Sequence, residues 1–176
     1  MPAIEIDKAD PASLRAVSAL VAAGFERTVA PDLDGIGRVA FRMYIAERAI
    51  AARLAAGALG LVAREAGRVV GYAEIQGRGR QLHGRDHLSL LFVEPARQRR
   101  GVGRSLVADI RRRLAALPEP PAWLSVHAAP SAVPAYERLG FIATGKLARQ
   151  EGLLFLPMAL RLRRLEGPLP QRLQRS

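Results

Sequence analysis

Between Leu88 and Phe141 the chain collects residues suited to hold a phosphate-bearing ligand and to move protons beside it. An apolar-rich run, His-Leu-Ser-Leu-Leu-Phe-Val-Glu-Pro (87–95), leads into Gln98-Arg99-Arg100-Gly101-Val102-Gly103-Arg104, and a stretch of helical period follows. Such a loop sets a row of backbone N–H groups at a helix N-terminus, where free amide donors and the helix dipole together hold an anion. Glycine at 101 and 103 removes two Cβ atoms, so a phosphate or pyrophosphate can approach the backbone closely.

Three kinds of phosphate loop compete for this segment. The nucleotide-hydrolase loop needs G-x-x-x-x-G-K-[ST], and no lysine lies nearby to reach the outer phosphates. The dinucleotide fingerprint G-x-G-x-x-G needs a third glycine where Leu106 stands, and a tighter strand–helix turn than the stretch from Val93 to Gly101 allows. It also needs an acidic residue about 20 positions on, where the chain reads Trp123-Leu124-Ser125-Val126.

The third pattern fits. The sequence [QR]-x-x-G-x-[GA] after a strand ending Val-Glu-Pro, followed by Ala135-Tyr136-Glu137-Arg138-Leu139-Gly140-Phe141, resembles the GNAT superfamily of acyl-CoA-dependent N-acyltransferases over about residues 12–162. The resemblance implies an α/β (α+β) fold, a mixed, splayed central β-sheet flanked by helices. It implies one domain over residues 1–162, with a basic tail from 163 to 176 that reads as frayed.

It also implies roles. Leu91, Phe92 and Val93 would pair with the pantetheine arm of the cofactor, and the Val93 N–H would meet the carbonyl oxygen as it gains charge. The amides of Arg99, Arg100, Gly101, Val102, Gly103 and Arg104 would hold the pyrophosphate, with arginine side chains adding charge-assisted bonds. Gln98, Ser105 and Ser131 complete the expected cofactor contacts. Tyr136 falls where the family carries a tyrosine acting as general acid toward the thiolate, and a phenol with a reference pKa of about 10 can donate to one; the alternative is a tyrosine that only packs against the sulfur.

The general base is more open. His87 stands where histone-acetylating relatives carry a glutamate, and its reference pKa near 6.5 suits the work near neutrality. By the period of two it shares a pleat face with Ser89 and Leu91. Its alternative is a histidine capping a strand or bonding a neighbouring loop. Glu74 is the second candidate, its alternative a solvated strand position; Asp86 and His83 are weaker. Two departures from relatives are visible. Ala129 stands where many carry an asparagine that touches the cofactor. Ser125-Val126-His127 offers no acid where relatives that acetylate protein N-termini carry one.

The elements that must position these residues are legible from periodicity. Asp10-Pro11 reads as an N-cap and first helical position, opening a helix with Leu14, Val17 and Val21 on one face and ending at Gly24. A second helix carries Val39, Met43, Ala46, Ile50 and Leu54 and ends near Gly57. Strands over 60–64 and 69–76 flank a Glu-Ala-Gly turn as a hairpin, Gly77–Arg80 is a loop, and 87–93 is a central strand. Val102, Leu106, Ile110, Leu114 and Leu117 line the helix after the glycine loop. Strand 123–127, a short helix capped at Pro130-Ser131, and strands 141–147 and 153–162 close the order.

Composition bounds the rest. The 176 residues are 49% hydrophobic with no cysteine, which excludes a disulfide framework, thiolate metal ligands and a cysteine nucleophile. No metal is expected. No apolar run suits a membrane span and the N-terminus lacks a signal-peptide pattern, so a cytoplasmic protein is expected. The net charge of +11, from 27 Lys+Arg against 16 Asp+Glu, is read chiefly as coding bias, the alternative being attraction to polyanions, either nucleic acid or the phosphates of coenzyme A. No nucleic-acid module is visible. These readings converge on an N-acetyltransferase moving acetyl from acetyl-CoA to a primary amine of a small molecule, possible as a homodimer. The alternatives are a protein lysine or N-terminal acetyltransferase and, in another class, a non-catalytic acyl-CoA-binding regulatory module.

Overall fold

The structure, a computed structural model, describes residues 3–76, 86–150 and 152–162. The expected loop Gly77–Arg80, the weak candidate His83 and the tail 163–176 lie outside the described residues. The strands are β1 (Ile4–Lys8), β2 (Leu59–Glu65), β3 (Arg68–Gln76), β4 (Asp86–Val93), β5 (Trp123–Ala128), β6 (Ile142–Ala143), β7 (Ala148–Gln150) and β8 (Leu153–Arg161). They form one mixed sheet in the order β1-β2-β3-β4-β5-β8-β6, with β7 paired to β8 off that path. β4 and β5 run parallel; the other neighbours are antiparallel.

The helices are α1 (Leu14–Thr28), α2 (Gly35–Tyr44), α3 (Glu47–Ala55), α4 (Val102–Ala115) and α5 (Val133–Arg138). α4 buries Val102, Leu106, Ile110 and Leu114 against Leu61, Ala73, Ile75 and Leu88 on one face of the sheet, where Tyr136 of α5 also packs. α1 buries Val17, Val21 and Phe25 with Ile50, Val62, Tyr72 and Leu90 on the other. Strands covered on both faces explain the near-continuous burial of β2 and β3.

Several boundaries differ from the periodicity reading. β1 was not expected; it lies at the sheet edge, so one face of Ile4-Glu5-Ile6-Asp7-Lys8 stays wet. Asp10 does cap, accepting from the Ser13 N–H at 2.7 Å, but it opens a 3-10 turn ahead of α1. Helix α1 runs past Gly24, because that glycine is a packing site: a Cβ there would stand 2.5 Å from Phe92 Cδ1. The expected long second helix breaks at Ile45-Ala46 into α2 and α3, so the phase of its apolar stripe is lost. Ile50 stays buried, while Val39 and Met43 are 56% and 64% exposed. Residues 141–147 give only the two-residue β6, and the chain turns back to form β7 on β8.

Candidate active site

Parallel pairing between β4 and β5 is limited to Asp86↔Leu124 and His87↔Ser125, although the strands continue to Val93 and Ala128. Beyond Ser125 they part. The gap is a cleft of about 760 Å³ walled by β4, the glycine loop, α5, the end of β5 and the C-terminal half of α1.

Along this wall β4 carries an irregularity. Glu74 pairs with Leu90 but Ile75 pairs with Leu88, leaving Ser89 as an extra residue. The side-chain phase therefore changes at Ser89. Leu88 and Leu91 face α4, whereas Leu90 and Phe92 face α1. His87, next to Leu88, lies on the α1 face, opposite to Leu91, and so the shared face expected from the period of two is overturned.

The backbone past the bulge is prepared for an extended ligand. The Glu94 N–H donates to Val70 O of β3 at 2.9 Å, so by the alternation of strand amides the Val93 N–H and C=O point to the open side. The Gln98 side-chain amide donates to that Val93 carbonyl at 3.1 Å, tying loop to strand end. Two ion pairs anchor the turn between them to the β2–β3 hairpin: Arg97 to Glu65, and Arg68 to Glu94 at 2.7 Å.

At the loop, Arg99 has φ +61° and Gly101, the N-cap of α4, has φ +88°. A Cβ at Gly101 would meet nothing within 4 Å, and at Gly103 only Val93 Cγ2 at 3.9 Å. Open space thus lies over the first amides of a 14-residue helix, the arrangement an anion requires. Leu91, Phe92, Val93, Gln98, Arg99, Gly101, Gly103 and Arg104 all line the cleft. Arg100, Val102 and Ser105 do not. Arg100 projects to solvent, the Val102 side chain is in the core with α4, and the Ser105 N–H is already used inside the helix, donating to Gly101 O at 2.9 Å.

Tyr136 lines the same cleft from α5, its ring 9% exposed and set edge-on to Phe141 at 5.3 Å. Burial pushes its phenol well above the ordinary tyrosine value, so it stays protonated at neutral pH. Ser131 also lines the cleft, but its hydroxyl reaches across to α1. It lies 2.5 Å from Thr28 O and 3.0 Å from Asp32 Oδ2, bridging the two walls.

The two base candidates are placed differently from each other. Glu74 is fully buried and is not a solvated strand position. Its carboxylate receives Arg53 Nε at 2.5 Å and Arg53 Nη2 at 3.1 Å, the Tyr72 hydroxyl at 2.9 Å and Gln76 Nε2 at 3.1 Å. Burial and the neighbouring carboxylate push the Tyr72 phenol far up, which keeps it a donor. Arg53 also stacks over the Tyr44 ring at 3.9 Å and donates to Tyr44 O. Glu74 therefore knits β3 to α2 and α3 beneath the cleft and does not line it.

His87 bonds Ser125 of β5 at 3.0 Å through Nδ1, and the Ser125 hydroxyl donates to Asp86 O at 3.3 Å. With the Ser125 hydrogen directed to that carbonyl, which only accepts, His87 Nδ1 is the donor to the Ser125 oxygen. Burial, with help from His127, pushes His87 down to about 4. It staples β4 to β5 at their last paired residues, and its side chain is not part of the cleft lining. Asp86 is buried at the same place.

Sequence reasoning passed over three lining groups. His127 stands on β5 two residues past the last β4–β5 pair. Phe41 of α2 stacks on Phe25 at 4.7 Å, and Arg138 lies beyond Tyr136 on α5. On β5 His127 lies opposite the buried face of Leu124 and Val126, and the splay opens its side of the strand on the cleft.

The Acetyltransferase (GNAT) domain family matches residues 29–162. No curated protein matches the chain. Among solved structures the chain is similar to the PaiA N-acetyltransferase of Thermoplasma acidophilum in complex with coenzyme A, at 14% identity and TM-score 0.72, covering 90% of this chain and 99% of that one. It is similar to a GCN5-related N-acetyltransferase of Rhodopseudomonas palustris, at 25% identity and TM-score 0.71, covering 92% and 96%. A third is the ribosomal-protein-S18-alanine N-acetyltransferase of Escherichia coli, at 22% identity and TM-score 0.61, covering 96% and 99%.

Proposed function

This chain belongs to the GNAT family of acetyltransferases, and we propose that it transfers acetyl from acetyl-CoA to a primary amine of a small molecule in a ternary complex. One observation carries this reading. The gap between β4 and β5 brings the amides of α4, the outward Val93 N–H and the Tyr136 side chain to one cleft. The thioester supplies the activated acetyl group. The chain's own residues do the rest. Gly101 and Gly103 leave room for a phosphate on the first amides of α4, and Arg99 and Arg104 add charge beside them. Val93 N–H points where a carbonyl oxygen would gain charge, and Gln98 bonds the carbonyl of the same residue, tying the loop to the strand end. Tyr136, kept protonated by burial, carries the proton the departing sulfur needs.

The acceptor end favours a small molecule with an apolar or aromatic body. Phe41, Phe92 and Val29 wall it, and the described lining residues include arginines but no carboxylate. Among the described lining residues a polycationic amine would find no counter-charge. Incubation with acetyl-CoA and a panel of primary amines, with thiol release and acetylated product both followed, tests the reading. Equimolar thiol and N-acetyl product from an aromatic or apolar amine is the expected result. Tight acetyl-CoA binding with no product from any amine would favour the non-catalytic module, and product only with a peptide would favour the protein-acetylating alternative.

A further inference from the structure

Neither base candidate lines the cleft: Glu74 lies behind Ser89, paired with Arg53, and His87 staples the strands. Among the described lining residues, His127 is the one side chain able to accept a proton near neutrality; the other titratable groups are Arg27, Arg99, Arg104, Tyr136 and Arg138. We propose that His127 takes the proton of the attacking amine, with His87 as the residue that positions its ring. This rests on the acetyltransferase reading given above.

The placement is what the chemistry asks for. Leu124, Val126 and Ala128 of β5 face α4, so His127 projects to the α1 side of the sheet, while Tyr136 reaches the same gap from the α4 side. Acid and base thus stand on opposite faces of the split between the strands, as a leaving group and an incoming nucleophile require. The His127 ring is fixed from two directions. It stacks on Phe155 at 4.0 Å and 21°, and the His87 ring meets it edge-on at 4.9 Å and 68°. His87 is itself held by Ser125.

Partial burial holds His127 below the ordinary histidine value, so it is a free base at neutral pH. Of the titratable groups, His87 of β4 meets the His127 ring directly, and Arg27 of α1 and Tyr136 and Arg138 of α5 line the same cleft. In the step, the N–C bond forms and the nitrogen becomes positive. One N–H proton passes to His127. The C–S bond breaks, its electron pair leaves on sulfur, and sulfur takes the Tyr136 hydroxyl proton. Both side chains then re-equilibrate with water.

Two variants test this. His127→Phe keeps a ring on Phe155 and removes the nitrogens; His127→Gln keeps a polar group. With the best amine from the panel, kcat should fall about 10²-fold in both, with coenzyme A affinity unchanged by calorimetry. The wild-type kcat should rise with pH through an ionisation below the usual histidine range, and this limb should vanish in both variants. In the proton NMR spectrum of the wild-type protein, the histidine signal absent from His127→Phe should titrate below 6.5 and shift when coenzyme A is added. His87→Gln should lower kcat less and keep the limb, displaced in pH. A His127→Phe enzyme with wild-type kcat and pH profile, or a His127 signal indifferent to coenzyme A, would overturn the assignment while leaving the acetyltransferase reading intact. Failure of the wild-type protein to acetylate any amine or to hydrolyse acetyl-CoA would overturn both.

Discussion

The two ends of the cleft are built by different means. The end at α4 is made of backbone: two glycines, a left-handed Arg99, and helix amides facing open space. The end at α1–α3 is supported by side chains drawn from far apart: Glu74 with Arg53, Tyr72 and Gln76 beneath it, the Phe25–Phe41 stack, and Gly24 against Phe92. A backbone site depends on where glycine may stand and where a helix may begin, and it tolerates change elsewhere. A side-chain site depends on pairs, and losing one partner leaves the other stranded in the interior. Loss of function at the first end should therefore be specific to binding, and at the second it should appear first as loss of stability.

The largest stability effect is expected at Glu74. Glu74→Gln leaves the Arg53 guanidinium without its counter-charge in a buried place, which costs about 3 kcal/mol. Thermal and urea unfolding should show the loss, while the coenzyme A affinity of the folded fraction stays as it was. A variant as stable as the wild type but unable to accept an amine proton would restore Glu74 as the base and break the contrast between the two ends.

Tyr136→Phe sharpens it from the other direction. It keeps the ring on Phe141 and removes one hydroxyl. kcat should fall about 10²-fold, with the midpoint of unfolding and the affinity for acetyl-CoA nearly unchanged. An unaltered kcat, with chemistry shown to limit turnover, would reduce Tyr136 to a packing residue.

At neutral pH the smallest stability effect is that of His87, which appears only as a pH dependence. His87 titrates at about 4 when folded against 6.5 for the free side chain. Above 6.5 neither state binds the proton and the histidine costs nothing. As pH falls from 6.5 to 4 the unfolded chain takes up the proton and the folded one does not. Stability drops over that window by on the order of 3 kcal/mol and levels off below it. His87→Gln should flatten this part of the stability–pH curve. Equal slopes in both proteins between pH 4 and 6.5 would show that the staple carries no linked proton.

The same contrast explains what could be read in the chain before its structure. Gln98 to Arg104 and Tyr136 to Phe141 are local patterns, and the loop, α4 and the short α5 fell where the spacing put them. The mixed sheet and its splay followed from the resemblance. The bulge at Ser89 was not legible, since an extra residue in a strand leaves no mark when both faces are apolar; it reversed the face assigned to His87. Glu74 looked like a solvated strand residue because its partner Arg53 lies on a helix 21 positions away. His127 was in plain view on an alternating strand, but its value depends on where β5 leaves β4, which no period records. Gly24 read as a helix stop because a glycine that makes room for a ring looks the same as one that ends a helix.

The most direct test is calorimetric titration of coenzyme A into the wild-type protein and into Gly103→Asp. Gly103 is the cleaner position, because Gly101 with φ +88° would be strained by any side chain. At Gly103 a carboxylate has open space above it and suits the first turn of α4, so the fold should stand. Saturable one-to-one binding to the wild type and no measurable binding to Gly103→Asp, whose charge would occupy the phosphate position, is the expected result. Equal affinities in the two proteins, both folded, would contradict it.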